Sequence, residues 1–434
     1  TEPLVGFEQA ATEVPRLLSR QTIPNAGYYS GAAEEWVVGP VYYDGTQWVG
    51  TFLGLEPAHA WAVRVVVVYA YALTVIAWVW VGYRVYRRHY RVADWTPRDD
   101  VIDRLRSHYW GLFGLVVVLL LLTTVLFGPA LAPTTNQVDN IDPYSYEIQY
   151  WDAETERVAT TTVGTANGQS GSTGSENVGP MSYDDFGRFH PFGTLPGGQD
   201  LFTFLMYGAR LSLVIGLVSV GLSTAIAASL AMISAYYKGR VDLGLVLLSD
   251  SIMALPALLV IIMLSVLLGG TWLANVYDGG LLLAVVFVAT GWPGLWRAIR
   301  GPTFQTTERE WVDAARGFGH RPTTIMRKHV LPYVAGYLLV YGSMSLGGII
   351  IGIAGLSSLG LGVNPPTPEW GRAIGAGQPY IGTPSWHISI IPGILVTVIV
   401  IGFNALGDGI RDAIDPQSDT GAADTGGVER GGGA

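Results

Sequence analysis

Seven long, charge-free apolar runs limit what this chain can fold into. They are Val65 to Tyr83, Tyr109 to Gly128, Leu211 to Tyr237, Ser251 to Leu268, Leu281 to Trp296, Val334 to Leu356 and Ile388 to Gly407. About 20 apolar residues of helix cover the roughly 30 Å of a bilayer's hydrocarbon core. Lipid cannot satisfy backbone N–H and C=O groups, so each run predicts a helix that bonds internally. Composition agrees: 50% of the 434 residues are hydrophobic and 14% are charged, against about 25% charged in soluble domains. The expected fold is an all-α polytopic membrane protein with about seven transmembrane helices. Arg64, at the edge of the first run, is expected to snorkel to the headgroups.

Lys and Arg stay on the cytoplasmic side, which sets an orientation. Arg84 to Arg106 holds seven Arg, whereas Pro129 to Asp200 holds only Arg157 and Arg188. The first loop is therefore read as inside and the second as outside. Alternation then places Lys238 to Arg240 inside, the loop 297–333 with its seven cations inside, the loop after Gly355 outside and the C-terminus cytoplasmic. The N-terminus is left outside, with no basic start and short apolar core that would predict a leader.

Residues 1–60 read as an extracytoplasmic segment. In it, "VVGPVYYDGTQWVG" predicts a hairpin turning at Asp44 and Gly45, with disorder before it. Residues 61–108 hold the first span and the basic loop, and 109–200 hold the second span and a long outer loop. Within that loop "DPYSYEIQYWD" predicts a short strand, and "TANGQSGSTGSENVG" a flexible linker. The remaining helices occupy 201–416, followed by a disordered tail over 417–434.

Several chemistries are excluded. The chain has no cysteine, so thiolate catalysis and Cys-based metal sites are out. A net charge of −9 argues against nucleic acid. The only lysines, Lys238 and Lys328, do not follow a glycine, so no ATP-binding Gly-rich loop exists here. The five runs after Asp200 have no charged residue or His in their central parts. That weighs against an ion-coupled carrier, although Na⁺ can bind backbone carbonyls at a broken helix. The histidines, His59, His89, His108, His190, His320, His329 and His387, form no metal-binding pair, and no Gly-x-Ser-x-Gly elbow occurs.

The stretch "EWVDAARGFGHRPTTIMRKHVLP", Glu310 to Pro332, is basic and lies between two spans. Thr307 with Glu310 fits a capping box, predicting a helix from about Glu308. Trp311, Ala314, Ala315 and Phe318 share one helical face. Gly317 and Gly319 suit the helix end, and Pro322 suits the first turn of a second helix that Pro332 limits. Four readings compete: a loop packed on its own membrane domain, a lipid-binding loop using Arg316, Arg321, Arg327 and Lys328, a DNA-reading helix-turn-helix, and a docking helix for a partner protein. In the sixth run Gly348 and Gly352, at spacing four, permit close helix approach, either at a subunit interface or cargo path or within the bundle.

The same stretch resembles the EAA loop of ABC importer permeases: Asp313, Ala314, Ala315, then Gly319, Leu331 and Pro332, with Asp313 where Glu is usual. "LSSLGLGVNPPTPEWG" (Leu356 to Gly371), "FNALGDGIRDAIDP" (Phe403 to Pro416), "HPFGT", "YGARLSL" and "GWPGLWRAIRG" are similar to the second permease of dipeptide, oligopeptide and nickel importers, the DppC and OppC type. The resemblance covers about His190 to Pro416. "FGTLPGGQD" (Phe192 to Asp200) departs from the family's "FGTDELGRD", and the first span is additional to its six helices. The resemblance implies a type I ABC importer permease fold and no bond chemistry by this chain. It implies a second homologous permease, two cytoplasmic ATPases that bind ATP and Mg, and an extracytoplasmic solute-binding protein. Trp311, Asp313, Ala314, Ala315, Phe318, Gly319, Leu331 and Pro332 would form the ATPase-coupling element. Peptide is the expected cargo, with nickel or another small solute as alternatives.

Overall fold

A computed structural model describes residues 22–29, 48–91, 97–152, 154–155, 157–171 and 176–414. The helices are α1 (Pro57–His89), α2 (Pro97–Ser107), α3 (Tyr109–Leu131), α4 (Val163–Ser170), α5 (Leu201–Tyr237), α6 (Gly239–Met253), α7 (Ala257–Leu268), α8 (Gly280–Thr307), α9 (Glu310–Gly317), α10 (Pro322–Ile325), α11 (Leu331–Ser358), α12 (Trp370–Gly377) and α13 (His387–Ile414). Six spans are long and apolar enough to cross a membrane: α1, α3, α5, α8 with its lead-in, α10 to α11, and α13. A seventh counts only if α6 and α7, bent by 86°, form one span. The fourth apolar run is therefore not one straight helix. Pro256 lacks an N–H and its ring clashes with a continuing helix, so the chain breaks between Met253 and Ala257.

The bundle has two unlike ends. One is loop-rich and carries residues 132–200 and 359–386; the other is basic and carries α2, the α5–α6 turn and the α8–α11 connection. Glycines bring α3 against α13: a Cβ on Gly111 would lie 2.9 Å from the Gly409 Cα. α5 packs against α8 and α11 through buried Leu211, Ile215, Leu283, Phe287 and Ile353. α12 folds back into the loop-rich end, where Trp370 donates its indole N–H to the Leu205 carbonyl at 2.7 Å.

α1 leans on α3 only near the loop-rich end, through Pro57, Ala60, Arg64, Val68 and Ala72. Arg64 does not snorkel. It is fully buried and donates to the Asn25 Oδ1 at 2.7 Å and to the Ala132 carbonyl at 2.8 Å. A guanidinium within reach of two fixed acceptors gains more from them than from leaving the protein.

The loop-rich end holds three two-stranded ladders. β1 (Tyr28–Tyr29) pairs antiparallel with β2 (Trp48–Val49), so the second arm of the expected hairpin pairs with an earlier segment. Its first arm and turn lie outside the described residues, as do residues 1–21 and 30–36 and the C-terminal tail; residues 22–29, expected to be disordered, are described and include β1. β3 (Glu147–Asp152) is the expected strand, paired with β4 (Arg157–Thr162) from Glu147↔Thr162 to Asp152↔Arg157. β5 (Ser182–Tyr183) pairs with β6 (Phe189–His190). The start of the expected linker forms α4, whose N-terminus Thr162 caps by accepting from the Thr165 N–H at 3.2 Å, and Ala166, Asn167 and Ser170 are buried. Residues 172–175 lie outside the described residues.

Asp200, the acid retained in "FGTLPGGQD", caps α5 by accepting from the Thr203 N–H at 2.6 Å. It also accepts from His190 Nδ1 at 2.9 Å. The other ring nitrogen faces Asp184 at 3.5 Å, and Arg188 donates to Asp184 at 2.7 Å and to Asn167 at 2.6 Å. Asp139 accepts from Asn167 and from the Asp200 N–H. Burial opposes a charged imidazole, but the hydrogen bonds to Asp184 and Asp200 and their charges hold the His190 pKa up at about 9. Burial likewise opposes the Asp184 carboxylate, yet His190 and Arg188 pull it down to about 2. Burial and the charge of Asp200 push Asp139 up to about 6.

Candidate functional site, the α9 loop at the basic end

α8 runs on to Thr307, so Thr307 is not a cap. Its hydroxyl donates back to the Phe304 carbonyl at 2.8 Å, and α9 begins at Glu310 after a break at Glu308 and Arg309. Phe318 N–H closes α9 on the Ala314 carbonyl at 3.0 Å. Gly319 follows with φ +74°, a conformation a glycine adopts without a Cβ clash. Pro322 opens α10 behind Arg321, and a wide turn over Met326–Val330 leads into α11. Leu331 and Pro332 form the first turn of α11 rather than a stop.

α9 is held by Val312 and Ala315, both buried. They join Ile325, Val330 and Val334 in one cluster with Ala227, Ala228 and Ala231 of α5 and Trp292, Leu295, Trp296 and Ile299 of α8. The three alanines leave room for the two indoles, so the short helix is seated on the ends of two spans. Ala315 is thus an anchor and not part of the open face. Sequence periodicity missed Val312, because Val312 and Ala315 obey the same three-residue spacing as Trp311 and Ala314. Which stripe is buried depends on where the spans lie.

The open face carries Ala314 and Phe318, with Phe318 84% exposed. Trp311 is exposed on one side and stacks on Tyr333 with ring centroids 5.2 Å apart on the other. The Asp313 carboxylate is exposed and pairs with Arg316 at 3.0 Å; such pairs contribute about 0–1 kcal/mol. Arg316 also lies over the Tyr236 ring at 5.0 Å. Lys238 meets Glu308 at 2.9 Å, and the carboxylate of Asp242 in α6 accepts from Arg300 of α8 and from Ser234 of α5. These ion pairs, absent from the sequence reading, tie the α5–α6 turn to the frame of α9.

Of the two glycines, Gly352 sits against Phe287, where an added Cβ would lie 2.7 Å from the ring. Gly348 faces open space, beside exposed Ile351 of the same helix. The structure thus separates the pair: Gly352 serves packing within the bundle, and Gly348 lies on its outside.

No group of three or more acidic, His or Cys side chains suited to a metal is found among the described residues. The site is a short helix packed against α5, α8 and α11 on one side and open on the other. Residues 225–419 match the family described as "Binding-protein-dependent transport system inner membrane component", and residues 96–153 match "N-terminal TM domain of oligopeptide transport permease C". The chain belongs to the binding-protein-dependent transport permeases, in the DppC and OppC branch. It is 34% identical over 228 residues to the dipeptide transport system permease protein of Bacillus subtilis, covering 52% of this chain and 69% of that one. It is 34% identical over 242 residues to the glutathione transport system permease protein of Pectobacterium atrosepticum, covering 56% and 75%. α1 precedes both matched regions.

Proposed function

We propose that this chain is a permease subunit of an ATP-driven peptide importer, and that α9 is its coupling helix. The carrying observation is Phe318, a large apolar side chain left open on a helix whose opposite side is buried among the span ends. Burying one such side chain contributes about 1.5–3 kcal/mol, against an association cost of about 4–15 kcal/mol. A single coupling helix is too weak alone, which fits an assembly in which two homologous permeases each present one. Two ATPases, which bind ATP and Mg, dock at the basic end, on the cytoplasmic side. A solute-binding protein delivers cargo at the loop-rich end, outside. Closure of the ATPases moves α9, and its buried anchors pass the displacement to α5, α8 and α11, switching access across the membrane. Gly348 and its exposed neighbour Ile351 face the second permease or the cargo path.

Peptide cargo rests on the dipeptide and glutathione relatives. The rival reading, an ion-coupled carrier, lacks charged groups in the central spans after Asp200. Uptake of a labelled dipeptide into vesicles containing the assembled transporter separates the two. It should require ATP and persist when ion gradients are collapsed with ATP maintained; loss of uptake under that condition would favour the carrier.

A further inference from the structure

α1 is 33 residues long, but its last buried residue is Ala72. From Leu73 to Tyr86 every residue is exposed, about 20 Å of helix at 1.5 Å per residue. Leu73, Ala77, Trp80, Arg84 and Arg88 recur at three- and four-residue steps, so they form one stripe, apolar toward the membrane centre and basic at its end. At that end α2 closes in: the Arg106 guanidinium lies over the Trp80 ring at 5.6 Å, and Arg87 and Arg91 both pair with Asp99, at 3.0 and 2.6 Å. Arg84 and Arg88 are exposed and have no ion pair among the described residues. The stripe thus ends in two guanidinium groups without an ion pair among the described residues, beside Arg106, which rests on Trp80 and reaches Asp103 at 3.9 Å.

We propose that this stripe binds an anionic phospholipid, its phosphate between Arg84, Arg88 and Arg106 and one acyl chain along Leu73, Ala77 and Trp80. Two features select that occupant. The apolar part, Leu73 to Trp80, rises about 10 Å and ends where the arginines begin, inside the roughly 15 Å depth of one leaflet's hydrocarbon. The polar part carries unneutralised positive charge, which a phosphodiester with an anionic headgroup balances and a neutral lipid does not. A protein segment covering the stripe would have to bring its own acids opposite Arg84 and Arg88. Guanidinium groups bind phosphate oxygens bidentately, so three of them around one phosphate define a site rather than a diffuse attraction.

The chain has no cysteine, so Ala77→Cys in the full chain carries a single bimane label on the stripe. The labelled protein is placed in phosphatidylcholine nanodiscs containing a small fraction of brominated lipid. Brominated phosphatidylglycerol should quench the label as though enriched roughly tenfold over its bulk share, relative to brominated phosphatidylcholine. Arg84→Gln with Arg88→Gln should abolish that preference while leaving quenching by the neutral lipid intact. Equal quenching by the two lipids in the unsubstituted background overturns the proposal, and so does a label shielded from both, which would mean that protein covers the stripe.

Discussion

The indole of Trp311 stacks on the phenol of Tyr333 with centroids 5.2 Å apart and an interplanar angle of 27°, joining α9 directly to the first turn of α11. Such a pair contributes about 0.5–1.5 kcal/mol beyond its buried area. Trp311→Ala or Tyr333→Ala should leave ATPases bound but loosen the connection, raising the ATP hydrolysed per dipeptide imported. The double variant should be little worse than either single one. Full additivity in that cycle would show that the rings do not act together.

Phe318 and Ala315 should behave differently. Phe318→Asp alters only the open face, so the chain should keep its thermal stability while ATPase co-purification weakens about 10- to 150-fold, the equivalent of roughly 1.5–3 kcal/mol. Ala315→Arg places a charge in the buried cluster and should lower stability and ATPase binding together. Undiminished co-purification with Phe318→Asp would remove Phe318 from the docking face.

The cap at the loop-rich end should be pH-dependent. His190, with its pKa raised to about 9, contributes stability that is complete below its unfolded value near 6.5 and lost as pH rises through 9. Asp184, lowered to about 2, contributes stability present above about 4 and lost as pH falls through 2. Asp139, raised to about 6, favours the folded cap below about 4 and loses that contribution as pH rises through 6. The groups facing His190 are Asp184, Asp200 and, beyond them, Asp139 and Arg188. Amide-exchange protection over residues 184–201, corrected for intrinsic rates, should peak near pH 4, fall through pH 6 as Asp139 ionises and continue to fall toward 9, by on the order of 3 kcal/mol for His190 alone. His190→Gln should remove the alkaline part of that fall. A profile flat from pH 6 to 9 would contradict the assignment of a charged His190.

Gly352→Leu should lower the melting temperature, because its Cβ already meets Phe287 at 2.7 Å and overpacking costs about 1–3 kcal/mol. Gly348→Leu meets nothing within 4 Å and should leave the isolated chain's stability within about 0.5 kcal/mol. If Gly348 faces the second permease, size-exclusion mass measurement should show that variant failing to pair. Normal pairing and uptake would place Gly348 against lipid instead.

The spans were legible because apolar runs of bilayer length have few alternatives, and Gly319 and Pro322 marked the α9–α10 turn through backbone geometry alone. Less legible were features set by distant partners. Arg64 sits at the edge of an apolar run, as a snorkelling residue would, but Asn25 and the Ala132 carbonyl hold it inside. Thr307 and Glu310 have capping-box spacing, but α8 continues to Thr307 because its end packs on α5. The Gly- and Ser-rich stretch after Thr162 looked flexible, yet Asn167 and Ser170 are bound by Asp139, Asp184 and Arg188, residues 14 to 28 positions away.

Hydrophobic periodicity and the motifs from His190 to Pro416 sufficed for the class of this protein, since solvation by lipid dictates helices and the α9 sequence dictates a helix, turn and helix. Periodicity could not choose between Trp311 with Ala314 and Val312 with Ala315 as the buried side of α9, because both stripes satisfy a 3.6-residue repeat. That choice belongs to the tertiary structure: the small residues Ala227, Ala228 and Ala231 admit Trp292 and Trp296 between the spans, and the pocket they make accepts Val312 and leaves Phe318 outside.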